Sequence, residues 1–356
     1  MLGAVALSQL ARPGCHESCG NISIPYPFGT TDRCAKSPHF LITCNESVHP
    51  PEALLSSSIQ IIDDISLLRG EMIVGALVGW RCYYSDTGEK IDNDWSFPSF
   101  KLYSPLLAFS SSRNKFIAVG CDTSAYINGF QKDQYLSGCI SLCSSNRTIT
   151  DGSCSGIGCC EVAIPPGLRL YDLSIGSFRN HSTVWQFNPC SFAFVTEESS
   201  FRRTVPMVLD WVIDNKTCEE AKKNLTSFAC QSNSECYNAS DGLGYRCNCS
   251  AGYQGNPYLP GGCTDINECE SRDRNDCKGI CINTIGGYKC SCPKGFEVAG
   301  SHGEDCRRLP LHKNISRLTF IILTAGMFIY IAVHDSTKMS LCPYVVTFYN
   351  QKSLFR

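Results

Sequence analysis

The sequence lacks several things, and each absence narrows what the chain can be. It has no run of about 20 apolar residues, the usual length of a membrane-spanning helix. The charge-free stretch Leu318 to Val333 has only sixteen residues. It has no glycine-rich phosphate loop and neither H-R-D nor D-F-G, so these residues carry no protein-kinase machinery. It has no dominant charge: 31 Lys and Arg against 33 Asp and Glu leave a formal net charge of −2. That balance gives no steering toward nucleic acid, and none is expected as a partner. Between Cys15 and Cys190 no long stretch shows capped helical periodicity. The seven histidines form no metal or triad spacing, and no pair of carboxylates stands out as glycosidases require. Gly152-Ser153-Cys154-Ser155-Gly156 echoes a nucleophile turn, but its central residue is a cysteine expected to be disulfide-bonded. An enzyme is not expected.

What the chain has in abundance is cysteine: 25 in 356 residues. That density implies an oxidising compartment. Cys15-His16-Glu17-Ser18-Cys19, which could suggest zinc, is there read as two disulfide cysteines. Nine N-x-[ST] sequons fit the same location: Asn21, Asn45, Asn146, Asn180, Asn215, Asn224, Asn238, Asn248 and Asn314. The first eight are expected to carry glycans; Asn314 stands against the charge-free run, too close for modification if that run enters a membrane.

The cysteines fall into three groups. Twelve lie from Cys15 to Cys190, six from Cys218 to Cys263, and six from Cys269 to Cys306, leaving Cys342 over. The first group accompanies short β-rich runs: Phe40 to Cys44, Lys115 to Cys121, Glu161 to Ile164 and Ser191 to Thr196. Ile59 to Leu68 and Met72 to Leu77 flank Arg69-Gly70-Glu71 as a hairpin would. Connectivity of these twelve is open, except that adjacent Cys159 and Cys160 are expected to bond to different partners. Val205 to Asp214 reads as a strand bridging into the second group.

The third group carries a further pattern. Asp265, Asn267 and Glu268 precede Cys269, and Asn283 and Tyr288 follow Cys281. Two carboxylates balance one calcium ion, and an amide oxygen adds a neutral ligand to a cation that takes about 6–8 oxygens. Gly286-Gly287 suits a tight turn. Asp265 to Cys306 resembles a calcium-binding epidermal-growth-factor-like (EGF-like) module. The resemblance implies Ca²⁺ held by Asp265, Glu268 and Asn283 with the carbonyls of Ile266, Thr284 and Gly287.

The rest of the chain widens the resemblance. Cys19-Gly-Asn-Ile-Ser-Ile-Pro-Tyr-Pro-Phe-Gly29 is similar to the opening of the galacturonan-binding domain of plant wall-associated receptor kinases. Gly158-Cys159-Cys160 with Ile164-Pro165, and Cys190 with Phe192 and Phe194, resemble its later landmarks. Pro25 and Pro27 should make this opening a stiff extended segment, with Tyr26 and Phe28 more readily packing the domain than touching ligand. Gly244 to Cys249 and Gly252 to Tyr258 resemble the first EGF-like module of that family. It lacks an acidic prefix, so no metal is assigned to it. The resemblance implies Cys218–Cys236, Cys230–Cys247 and Cys249–Cys263 in the first module, and Cys269–Cys281, Cys277–Cys290 and Cys292–Cys306 in the second.

The expected architecture is an all-β, disulfide-rich multidomain ectodomain. Residues 1–14 are a residual signal segment behind a truncated start, 15–205 the large β domain, 206–263 and 264–306 the two EGF-like modules. Residues 307–317 are juxtamembrane, 318–333 a single hydrophobic helix taken to span the membrane, and 334–356 a short tail, the kinase domain being absent. The expected partner is pectin or another galacturonan, and the expected place the plasma membrane, single-pass with the N-terminal part outside. A secreted, apoplastic form is the alternative location, and a protein-binding adhesion or decoy receptor the alternative function. A polyanion needs cations, for which Arg33, Lys36, Arg69, Arg81, Lys101, Arg113, Lys115, Arg147, Arg169 and Arg179 are candidates. Tyr83, Tyr84 and Trp95 are candidates for stacking on sugar, with burial expected of Trp95.

Overall fold

The computed structural model describes residues 10–308, apart from 92–97, 131–133, 146–148, 150–153, 198–203, 241 and 301–302, together with 320–331. It divides into two compact units, Met1–Ile266 and Asn267–Arg356.

Alternating hydrophobicity builds the first unit. In Glu71–Leu77 the buried residues are Met72, Val74 and Ala76; in Thr204–Trp211 they include Val205, Met207, Leu209 and Trp211. Period-two patterning of this kind turns one face of each strand inward. These two strands pair antiparallel, Val74 against Met207, in a six-stranded sheet. Its order is Leu107–Phe109, Thr204–Trp211, Glu71–Leu77, Ile59–Ile61, Glu52–Leu55, Ile42–Asn45. Thr204–Trp211, which the sequence suggests as a bridge, is therefore an interior strand of the largest sheet. A five-stranded sheet (Cys159–Ala163, Lys115–Val119, Cys190–Thr196, Gly79–Tyr83, Lys90–Ile91) and a four-stranded sheet (Gln134–Ser141, Thr123–Phe130, Leu170–Gly176, Ser99–Lys101) complete the large domain. The expected long hairpin arm is shorter: after Ile61 the chain leaves the ladder and returns at Glu71 through Gly70, whose φ of 64° suits glycine.

Six disulfides staple this domain: Cys15–Cys34, Cys19–Cys44, Cys82–Cys190, Cys121–Cys143, Cys139–Cys160 and Cys154–Cys159. Cys159 and Cys160 diverge because consecutive strand residues point to opposite faces.

The expected first EGF-like module, residues 206–263, belongs to the same unit. Its two hairpins are Ser234–Asn238 with Tyr245–Cys249 and Tyr253–Gly255 with Cys263–Asp265. One helical turn, Cys218–Lys222, begins at a capping box between Thr217 and Glu220. The module buries Tyr245, Cys247, Tyr258 and Leu259. Tyr258 lies 5.9 Å from Trp211, which meets Phe28 edge-on at 5.3 Å. Arg246 donates to the carbonyl oxygens of Trp211 and, at 3.0 Å, Arg69.

In the second unit, Ile280–Thr284 pairs with Gly287–Ser291 and Phe296–Ala299 with Asp305–Arg308. Residues 320–331 are helical and their apolar side chains are exposed. Twelve residues reach about 18 Å, short of a hydrocarbon core of about 30 Å. Among the described residues no helix is long and apolar enough to cross a membrane. Residues 318, 319, 332 and 333 of the expected span lie outside those described.

Candidate polysaccharide and calcium sites

The opening motif is a scaffold. Ser18–Cys19 and Ile22–Ser23 form a tight hairpin across Gly20, whose φ is 58°. The stretch from Pro25 then turns, with the Phe28 N–H donating to the Pro25 carbonyl at 2.9 Å, where a stiff strand was expected. The turn tucks Phe28 (1 % exposed) among Phe40 and Trp211. Tyr26 is buried as well, and Arg12 covers its ring at 4.3 Å.

The candidate cations do not form one cluster. Arg69 and Arg113 share Glu71, Arg113 also pairs with Glu197, and Lys115 pairs with Glu161. Arg81 donates to the Ile175 carbonyl. Arg179 is exposed while its backbone N–H serves Asp122. Arg33 and Lys36 lie exposed near the N-terminal segment, and the Nε of Arg169 is buried without a partner. Lys101 stands 4.9 Å over the ring of Tyr103, which is 74 % exposed. Sequence reasoning missed Tyr103, which stands two residues beyond the edge strand Ser99–Lys101; its i, i+2 spacing from Lys101 was the available signal. Of the stacking candidates Tyr84 is exposed, Tyr83 is buried, and Trp95, like Arg147, lies outside the described residues.

Tyr83 stacks on His181 at 4.2 Å. His181 and Ser191 are fully buried, with the hydroxyl 3.3 Å from Nε2 and Asp122 3.9 Å from Nδ1. Asp122 accepts from the Ser177 hydroxyl at 2.5 Å and from backbone N–H groups of Phe178, Arg179 and His181. This sealed, triad-like grouping pins the segment from Ser177 to the Cys82–Cys190 disulfide. Burial lowers the His181 pKa, and the Asp122 charge opposes that effect.

The expected calcium ligands are divided by the boundary between units. In the first, Asp265 pairs with Tyr253, and the Ile266 N–H donates to the Gly252 carbonyl at 2.9 Å. In the second, the Asn267 side chain caps the turn Glu268–Glu270 through the Cys269 N–H. Glu268 is 9 % exposed, and its Oε2 is buried with no hydrogen-bond partner. The turn packs against the hairpin carrying Asn283, Thr284 and Gly287, and the Thr284 hydroxyl donates to the Gly287 carbonyl at 3.0 Å. A buried carboxylate oxygen without a donor is costly, and a hard cation offsets that cost; these residues fit calcium. Among the described residues no three His, Cys, Asp or Glu side chains gather as a metal group.

The modules' disulfides are Cys218–Cys236, Cys230–Cys247, Cys249–Cys263, Cys269–Cys281, Cys277–Cys290 and Cys292–Cys306. Of the sequon asparagines, Asn21, Asn180, Asn215, Asn224 and Asn238 are exposed, and Asn45 and Asn248 half-buried. Asn146 and Asn314 lie outside the described residues.

Residues 15–75 match the family described as wall-associated receptor kinase galacturonan-binding, and residues 265–306 match the calcium-binding EGF domain. The chain is homologous to the wall-associated receptor kinases. It is 37 % identical to wall-associated receptor kinase 2 of Arabidopsis thaliana over 305 residues, covering 80 % of this chain and 39 % of the relative. Wall-associated receptor kinase 5 of the same plant is 36 % identical over 307 residues, covering 81 % and 39 %. Wall-associated receptor kinase 3 is 35 % identical over 307 residues, covering 78 % and 39 %. The chain thus spans about two fifths of the length of these relatives. The galacturonan-binding match ends inside Glu71–Leu77, so the matched residues supply the hairpin and outer strands of the six-stranded sheet.

Proposed function

We propose that this chain is a wall-facing ectodomain that binds de-esterified pectin through residues 15–205, with calcium in its second EGF-like module. The observation that carries the reading is the match of residues 15–75 to a galacturonan-binding family. The β scaffold supports it by presenting cations and, just beyond the ends of Gly79–Tyr83 and Ser99–Lys101, the exposed Tyr84 and Tyr103. Lys101 beside Tyr103 supplies a charge for a carboxylate and a face for a ring. In the second module Asp265, Ile266, Glu268, Asn283, Thr284 and Gly287 would hold calcium. Calcium bound there would supply positive charge to the Glu268 carboxylate, and the turn Glu268–Glu270 that carries it would be stiffened.

Binding of the full chain to polygalacturonate and to neutral glucan, each with and without a chelator, tests the reading. Retention on polygalacturonate alone, weakening as salt rises past about 0.15 M, supports it. Equal affinity for both polymers, or for neither, rejects it and favours a protein-binding adhesion receptor. The chain is further proposed to be anchored by residues 318–333 with the N-terminal part outside. Protease on intact cells should then remove the EGF-like modules and spare a tag after Arg356, whereas recovery of the whole chain from the medium rejects the anchor.

A further inference from the structure

Inside the first unit, the N-terminal segment and the first EGF-like module enclose a cavity of about 510 Å³, within the range of small-ligand sites, about 300–1,000 Å³. Arg12, Pro13 and Tyr26 line it from the N-terminal side. The module contributes Gln231, the turn 258–262 and Thr264.

The walls are fixed in advance. Wholly buried Asn256 donates through its amide to the carbonyls of Leu10 and Tyr26, 2.7 Å each. Its Oδ1 accepts from the Tyr258 N–H at 3.0 Å, and the Tyr258 hydroxyl accepts from the Cys247 N–H at 3.0 Å. Gly262 closes so tightly on this asparagine that a Cβ there would stand 2.1 Å from the Asn256 carbonyl oxygen. Arg12 is held with equal definition: over the Tyr26 ring, donating to the Tyr26 hydroxyl at 2.8 Å and the Arg33 carbonyl at 3.0 Å.

The charge in this cavity is one-sided. No lining residue is acidic, and among the described residues Arg12 has only neutral partners. Outside the lining, Lys36 interacts with Asp214 more strongly than with Arg12. A guanidinium has five N–H donors, so three remain for a ligand. By contrast, a second cavity contains Asp122 and a third contains Asp276 and Glu304. The apolar surfaces of Tyr26, Leu259 and Pro260 suit a ring face, while Gln231, Thr264 and the peptide groups of Gly261 suit hydroxyls. A carboxylate, a ring and hydroxyls together describe a uronic acid.

We propose that this cavity is a subsite for one uronic-acid residue of the polysaccharide, with its carboxylate on Arg12. Part of the binding site then lies on the first EGF-like module, outside residues 15–75. The inference rests on the proposed polyuronide ligand.

The test uses the full chain, trigalacturonate and polygalacturonate as probes, and the variants Arg12→Gln and Thr264→Trp. Lys222→Gln, an exposed cation outside the cavity and outside the candidate binding residues, is the control. A charge-assisted contact is worth about 1.5–3 kcal/mol, so Arg12→Gln should weaken trigalacturonate binding about ten- to hundredfold. Thr264→Trp, which fills the cavity and spares the charge, should do the same. Both variants should remain folded at the assay temperature, as their unfolding midpoints will show, and Arg12→Lys should recover part of the affinity. Wild-type affinity in both cavity variants, with polygalacturonate still bound, overturns the subsite and leaves the polysaccharide reading standing. No binding of either probe by the unaltered chain overturns that reading itself. Loss in the variants of a glutamate-rich peptide alone, with no sugar bound, assigns the cavity to acidic peptides and overturns the proposal.

Discussion

The two EGF-like modules have the same disulfide order and opposite ways of staying folded. The first buries Tyr245, Cys247, Tyr258 and Leu259 and sends Arg246 to two carbonyls of the large domain. In the described part of the second, from 267 to 308, the one buried side chain is that of Glu268. A frame of three disulfides therefore does not dictate how a module is stabilised. One has become part of a larger hydrophobic core; the other relies on cross-links and, as proposed, an ion. Four measurements would break or sharpen this contrast.

The largest effect should come from Trp211→Ala. Trp211 is fully buried and touches Phe28, Phe40 and Tyr258. Truncating such a side chain costs about 3–5 kcal/mol. Hydrogen exchange should show faster opening in the large domain and first module together, with the second unchanged. If the first module keeps its protection, its dependence on the shared core is refuted.

Next is Arg246→Ala, which strips the carbonyls of Arg69 and Trp211 of their donor. Unsatisfied buried groups cost about 1–3 kcal/mol each. Gly70→Ala attacks the same seam from the other side, since its Cβ would stand 2.3 Å from the Arg246 Nε and φ is 64°. Both should lower the urea midpoint of the first unit, and the double variant should cost less than the sum because the two changes share one contact. Strict additivity would show that they act separately.

Much of this was legible in sequence. Cysteine spacing, period-two strands and the split calcium pattern pointed to a β, disulfide-linked chain. What was not legible depends on long-range pairing. Nothing near Arg246 indicates that its donors end on carbonyls 35 and 177 residues away. Val205 to Asp214 shows a strand but not its place inside a sheet. The cavity beside Arg12 was not legible because Arg12 and Thr264 lie at opposite ends of the first unit's chain.

The third expected effect is calcium-dependent. With affinity on the order of 0.1–1 mM, as in extracellular modules, 10 mM calcium should stabilise the second module by about 1.4–2.7 kcal/mol. Chelation should speed its proteolysis and leave the first module untouched. Glu268→Gln keeps shape while removing charge, and Asp265→Ala or Asn283→Ala removes other proposed ligands; each should weaken the calcium response. Equal protease sensitivity with and without calcium would exclude the ion from the comparison.

The smallest expected effect is acid sensitivity confined to the first unit. Burial holds the His181 pKa below its ordinary value of 6.5. The folded state therefore resists protonation while the unfolded state accepts it, so stability rises with pH where unfolded histidine binds the extra proton. The contribution is complete above about pH 6.5 and falls as pH drops through that value toward the lower folded pKa. The desolvation of the imidazole outweighs the one charged group that acts on it, Asp122, which favours the proton. Asp122 is already occupied by Ser177 and three backbone N–H groups, so it has little capacity left to welcome an imidazolium. Between pH 7.5 and 5.5 the urea midpoint of the first unit should fall, and the Ser177 to Cys190 segment should exchange faster. His181→Asn, which tolerates the left-handed backbone at φ 56°, should lower stability at pH 7.5 and flatten the pH dependence. A slope that survives this substitution would place the proton elsewhere and remove His181 from the account.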